Sequence, residues 1–313
     1  MTAVEMKEGM QRVFKTGLTH GVSAFAYIKT NAEPVMKKFL MTDELWDNLS
    51  ELLDAIVERR FLSEEAELDS ADNIADNRKI LYEVIPNSDY SPFSFLSDFR
   101  TVTEQYTEAD QDALVGFFFR ANINEDSIWL YQQVYQARLI KRSRSLYAAL
   151  LQNHTYEPLK HEVLKIEDRI DIVIMGASII TDNISLLQNT FGFEKYVRSE
   201  ASETIQLIDS MDFVSGIEIL QSLSEKENLT NAKKLMKAKK SPVLQMNRTA
   251  LISAIQRHPR YKDKFVIEAE HIVLRTQKDA REFMKMLNDD IVRSELTNQE
   301  YDSSAKTMLA PVS

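Results

Sequence analysis

Two runs rich in aromatic and β-branched residues constrain this chain most. Residues 115–122 read Val-Gly-Phe-Phe-Phe-Arg-Ala-Asn, residues 128–134 read Ile-Trp-Leu-Tyr-Gln-Gln-Val, and Asn124-Glu125-Asp126 stands between them. Such side chains fit a pleated, half-buried surface, and so short a connection returns the chain as an antiparallel hairpin. Trp129, Tyr131 and Tyr135 fall at alternate positions. There they form either a base-stacking platform or ordinary cross-strand packing.

Other segments with strand character are 22–29, 39–41, 79–85, 163–166, 170–175, 178–181 and 184–187. Helical spacing predicts a helix from Thr42, its N-cap, to about Arg60, with Asp43 and Glu44 in the first turn and Leu45, Leu49, Leu52, Leu53 and Ile56 on one face. Residues 147–153 are weakly helical. Further helices are expected from Phe193 to about Met211, along Phe213, Ile217, Leu220 and Leu223, and over 280–287 with Phe283, Met284 and Leu287 facing inward. Thr230 is expected to cap a helix over 231–240 stopped by Pro242, and Asn247 one over 248–258 stopped by Pro259. A last hairpin joins 265–267 to 271–274. Hairpins and helices are segregated, without βαβ alternation, so the fold class is α+β, with antiparallel sheets and a helix-rich C-terminal half. The break at Tyr156-Glu157-Pro158 divides it into domains over 1–158 and 159–313.

The chain has 7 Gly and 7 Pro in 313 residues and no Cys. Long linkers, disulfides and thiol chemistry are thereby excluded, and a cytoplasmic setting fits. The N-terminal residues lack the apolar core of a secretory signal, and the most apolar stretch, 170–181, is interrupted by Asp171. It falls far short of the roughly 20 apolar residues of a membrane span, so no direct membrane insertion is expected.

A search for catalytic patterns finds little. No Gly-rich phosphate loop is present, and the five His (His20, His154, His161, His258, His271) include no pair at helical metal spacing. No catalytic residue, metal ligand set or cofactor motif is assigned. Glu167, Asp168 and Asp171, at the edge of an apolar strand, are the carboxylates a metal-dependent nuclease reading would use; solvation of a strand edge is the competing account. The acidic stretch 64–76 lacks the Gly and the alternation of a calcium loop.

The composition departs most from its average between Lys226 and Lys264, where 11 basic residues meet 2 acidic ones. The whole chain has 38 basic and 48 acidic residues, which leaves 27 and 46 outside this segment. On a helix over 231–240, Lys233, Lys237 and Lys240 share a face flanked by Lys234. Arg257, Arg260 and Lys262 follow as a second basic group, and Arg138, Lys141, Arg142 and Arg144 form a smaller one upstream. A surface of this kind binds nucleic acid, DNA or RNA, through its phosphates without reading sequence. The other occupants consistent with the charge are an acidic protein, an anionic lipid surface, the protein's own acidic half, a second subunit, and solvent.

Several stretches resemble the KwaB family, the cytosolic component of the two-protein Kiwa anti-phage defence system of bacteria. They are Phe117-Phe118-Phe119-Arg120 through Ile128-Trp129-Leu130-Tyr131; Ile170-Asp171-Ile172-Val173-Ile174 with Phe191-Gly192-Phe193-Glu194; and Phe283-Met284-Lys285-Met286-Leu287-Asn288-Asp289-Asp290 with Leu296-Thr297 and Tyr301. The resemblance implies a non-enzymatic DNA-binding effector that forms a homodimer, docks on a membrane-embedded partner protein, and restrains phage DNA replication and transcription. It supplies no catalytic residue; the candidate DNA contacts come from charge.

Overall fold

A computed structural model describes residues 2–17, 23–30, 33–71, 80–123, 126–134, 139–140, 149–152, 155–158, 163–164, 166–259, 261–293 and 300–302. The chain divides into two compact units. The first comprises Met1–Leu68, Lys79–Pro86 and Ser91–Asn183, and the second Asp69–Arg78, Asn87–Tyr90 and Ile184–Ser313. The division falls later than the expected break at Pro158, because the hairpin over 172–181 adds to the sheet of the first unit.

The first unit opens with α1 (Ala3–Gly17), β1 (Ser23–Ile28), β2 (Val35–Lys38) and α2 (Asp43–Arg60). The Thr42 hydroxyl accepts the Leu45 N–H at 3.3 Å, as an N-cap should. The short strand expected over 39–41 instead lies at Val35–Lys38, where it pairs with β1. After β3 (Glu67–Ser70) and β4 (Ile80–Val84) come two 3₁₀ segments, Ser94–Thr101 and Glu108–Ala113. The predicted hairpin is β5 (Leu114–Ile123) against β6 (Asp126–Gln133), with Phe118 opposite Tyr131 and Arg120 opposite Trp129. Two short antiparallel pairs follow. They are β7 (Leu139–Ile140) with β10 (Val163–Leu164), and β8 (Ala149–Gln152) with β9 (Thr155–Pro158). A strand therefore replaces the helical turn expected within 147–153. With β11 (Ile172–Met175) and β12 (Ser178–Thr181), the main sheet has eight strands in the order β2-β1-β5-β6-β11-β12-β4-β3.

The alternation along β5 explains why this sheet is covered on both faces. Phe117, Phe119 and Ala121 are buried in a cluster with Met6, Met10, Leu53 and Ile56 of α1 and α2. Phe118 is directed to the opposite face, where Phe93 and Phe95 meet it at 5.9 and 5.8 Å between ring centroids. Consecutive phenylalanines of one strand therefore serve two different cores. Trp129 and Tyr131 are 6% and 0% exposed. They are packed into the second core and form no open row of rings on the sheet face, while Tyr135 lies outside the described residues.

The second unit holds α3 (Ile184–Thr190), α4 (Phe193–Ser210), β13 (Val214–Ser215), α5 (Ile217–Ser224), α6 (Thr230–Ala238), α7 (Arg248–Arg257), β14 (Val266–Glu268), β15 (His271–Val273), α8 (Gln277–Leu287), β16 (Ile291–Arg293) and β17 (Glu300–Asp302). The apolar run 184–187 is helical, burying Leu186 and Leu187; a run that short has no period to separate helix from strand. Val197, Ala201, Thr204, Ile205 and Ile208 form the buried stripe of α4. Of the helix expected along Phe213, Ile217, Leu220 and Leu223, α5 holds only the last three. At Gly216 φ is +83°, and a Cβ there would run into the Leu274 carbonyl, so only glycine fits between β13 and α5. The molecule belongs to the α+β class. No helix among the described residues is long and apolar enough to cross a membrane.

Candidate nucleic-acid interface

The basic segment occupies α6, α7 and the turns around them. Most of α6 is interior. Ala232, Lys233, Leu235, Met236 and Ala238 are all buried, because α4, α5 and α8 each pack against this helix. Its start also differs from expectation. Leu229 is the N-cap and Thr230 lies inside the first turn, its N–H and hydroxyl both donating to Asn228 Oδ1, at 2.8 and 2.5 Å.

The lysine face expected on this helix is therefore not a surface. Lys233 is 8% exposed, and its ammonium lies 5.9 Å from the centroid of the Phe193 ring. Lys234 is paired at 3.4 Å with Asp290, a carboxylate only 2% exposed. Lys237 is half-buried, and Lys240, just past the helix, is exposed. Lys239 meets Glu203 and Glu200 of α4 at 2.7 and 3.0 Å. The Glu203 carboxylate, with Glu200 beside it, holds the Lys239 ammonium above the usual lysine range.

Beyond α6, Asn247 caps α7 as expected, accepting the Ala250 N–H at 2.8 Å. Arg248 turns toward the tip of the β14–β15 hairpin. There Ala269 and Glu270 have φ of +48° and +62°, a turn that favours Asn-Gly and strains other side chains. The Arg248 guanidinium donates to the carbonyls of both, at 2.9 and 3.0 Å, and holds the turn from outside. Lys264 pairs with Glu282 at 3.3 Å. Arg257 and Lys262 are exposed on either side of a turn closed by the Lys262 N–H to His258 carbonyl bond, while Arg260 lies outside the described residues. Arg257 Nε donates to the Ser253 carbonyl at 3.1 Å. The side chains of Lys240 and Lys262 have no hydrogen-bonding or ionic partner among the described residues. Part of the +9 segment is thus paired with carboxylates of its own unit, and among the described residues Lys240, Arg257 and Lys262 are its exposed cations without a carboxylate partner, Lys264 being exposed but paired. Sequence charge alone gave no sign of Glu200, Glu203, Glu282 and Asp290 as partners, since all four lie outside the segment. The upstream basic group of Arg138, Lys141, Arg142 and Arg144 is outside the described residues.

The carboxylates of the nuclease reading are also engaged. Asp171 is 3% exposed, accepts the Gln133 N–H at 2.8 Å and pairs with Arg169. Arg169 also binds Glu167 at 3.2 Å, and Asp168 faces Arg59 at 3.6 Å. Among the described residues no three His, Cys, Asp or Glu side chains come together as a metal-ion set.

Comparison with known proteins adds the decisive observation. A family model described as "Kiwa protein KwaB-like" matches residues 111–297. The chain belongs to the KwaB-like family. The Kiwa protein KwaB of Escherichia coli O55:H7 is 23% identical over 185 residues, which is 58% of this chain and 58% of that protein. The matched region thus spans just over half of that relative's length. No solved structure matches the chain. The matched region includes β5, β6, β11, β12 and the whole basic segment, and the family is that of the Kiwa anti-phage system.

Proposed function

We propose that this KwaB-like chain is the DNA-binding member of a Kiwa-type anti-phage system. It holds DNA without reading sequence, works as a homodimer beside a membrane-embedded partner protein, and restrains phage replication and transcription without cutting the DNA. The observation that carries the DNA reading is the set of exposed cations left after internal pairing: Lys240, Arg257 and Lys262. In a chain of net charge −10, such residues attract a polyanion only locally, which orients the protein on it.

The test is a mobility-shift assay on linear duplex DNA with the triple variant Lys240→Glu, Arg257→Glu, Lys262→Glu. The expected result is loss of the shift with an unchanged thermal melt; an unaltered shift overturns the assigned surface. Incubation of the parent protein with supercoiled plasmid and Mg²⁺ or Mn²⁺ tests the absence of cleavage, and nicking would transfer the reading to the nuclease alternative. Light scattering of the purified protein tests the dimer. Co-expression and co-purification with a membrane-embedded protein of a Kiwa system tests the docking.

A further inference from the structure

A second site lies in the first unit, away from the basic segment in sequence and chemistry. Across the sheet Arg120 of β5 stands opposite Trp129 of β6, and Trp129 opposite Ile174 of β11. The 3₁₀ segment Ser94–Thr101 places Phe99 edge-on to Trp129, with 5.5 Å between centroids at 76°. The Arg120 guanidinium lies 3.9 Å from the Phe99 centroid, and that of Arg100 lies 5.6 Å from the same ring. Neither side chain makes a hydrogen bond or ion pair among the described residues, and Arg120 Nε is buried. Burial, and secondarily the like charge of Arg100, push the Arg120 pKa down. A guanidinium that loses water without gaining a carboxylate lacks its natural complement, an anion that its planar fork grips in bidentate fashion.

Arg120 lines a cavity of about 720 Å³, within the roughly 300–1,000 Å³ of small-molecule sites. Trp129, Ile128, Ile174 and Leu96 give it an apolar wall, and Ser94, Ser97 and Ser127 add hydroxyls. From α1 come Glu5, Arg12 and Gly9. Gly9 faces the end of the Met175 side chain, where an added Cβ would stand 2.9 Å from Sδ, so α1 and the end of β11 meet at this wall of the cavity. The aromatic and apolar lining argues against a bare inorganic anion, which would leave that surface uncovered. The Glu5 carboxylate, which accepts the Thr2 N–H at 2.7 Å, has further lone pairs that can accept from sugar hydroxyls and base amines.

We propose that this cavity binds a nucleotide, with the phosphate on Arg120 and Arg12, the base against the Phe99–Trp129 wall, and the sugar among the serines. A free nucleotide and the 5′-phosphorylated end of a DNA strand present the same chemistry, and the experiment separates them.

Isothermal titration calorimetry of the full chain with dAMP, ATP, inorganic phosphate and a 5′-phosphorylated oligonucleotide measures the binding. The chain has 2 Trp, so Trp46→Phe leaves Trp129 as a fluorescence reporter of where the ligand sits. Saturable binding that alters Trp129 emission is expected with the nucleotides, with the oligonucleotide, or with both, and the pattern assigns the source. Arg120→Gln is expected to weaken it at least tenfold. Should that variant fold poorly, Arg12→Gln at the same cavity carries the test with a severalfold loss. The triple variant at Lys240, Arg257 and Lys262 is expected to leave nucleotide affinity unchanged, which keeps this site separate from the surface proposed above. No saturable change, equal binding of inorganic phosphate, or parental affinity in the arginine variants overturns the proposal.

Discussion

Lys233 and Lys240 carry the same charge and stand in one basic segment, but they meet opposite surroundings. Lys233 is enclosed, its ammonium over the Phe193 ring; Lys240 is exposed. A carboxylate at position 233 would replace a cation held over a π face with a buried anion. Lys233→Glu is therefore expected to lower the unfolding free energy by about 3 kcal/mol or more, while Lys240→Glu changes it by less than about 0.5 kcal/mol. Urea denaturation of the two variants checks this, and equal losses would show that α6 is not packed as described. Arg248 makes a different kind of contribution. Its fork holds two carbonyls of a turn whose residues both have positive φ. Arg248→Lys keeps the charge but not the fork, so most of the roughly 1–3 kcal/mol loss expected for Arg248→Ala should appear in it too. Arg120 was not among the candidate residues read from charge, though its strand carried a signal that could have found it. It is the only charged residue within 114–123, a strand otherwise apolar but for Asn122 near its end, and a charge in such a place signals a special environment. The cation–π contact with Phe99 was not legible, because the 3₁₀ segment that brings Phe99 there is distant along the chain.

At the level of elements, β2 lies at one edge of the sheet, and a polar cluster ties that edge down. Lys38 exchanges backbone hydrogen bonds with Glu104 and Tyr106, at 2.7 and 2.8 Å. Lys37 pairs at 2.8 Å with Asp110, the residue that closes the capping box begun by Thr107. The hydrogen bond from Lys37 outweighs the opposing effect of burial and, with those from Thr107 added, holds the Asp110 carboxyl below its usual range. A carboxylate depressed in the folded state adds stability above its unfolded pKa of about 4. That contribution is lost as pH falls through the lower folded value. Asp110→Asn is thus expected to flatten the acid limb of a stability–pH curve below about pH 4 and to leave the limb above pH 7 unchanged. Thermal melts of parent and variant across pH 2–8 measure it. The same scale explains the differences from sequence expectation over 147–153 and 184–187. In each a short stretch compatible with either period was settled by its partners, a strand in one case and a helical core in the other.

For the whole molecule, charge is arranged so that acidic residues outside the basic segment neutralise much of it. Among the described residues the exposed cations left by this pairing are few, and the DNA binding proposed for them is expected to depend on salt accordingly. Each phosphate that the protein no longer neutralises makes the slope of log affinity against log salt shallower by about one, so replacing Lys240, Arg257 and Lys262 singly should each lower it by that step. A slope that none of the three changes would place the interface elsewhere. The sequence by itself determined the α+β class, the β5–β6 hairpin, the capped helices α2 and α7, and the resemblance to KwaB. These rest on local periodicity, on caps a few residues from their helices, and on short motifs, all written within a continuous stretch of chain. Only the tertiary structure decided which lysines face water, because burial of α6 depends on α4, α5 and α8 closing around it. It also decided that Arg120, Phe99 and Trp129 meet at one cavity. A helical projection places Lys233 beside Lys240 on an isolated cylinder, and the packed molecule has no such cylinder.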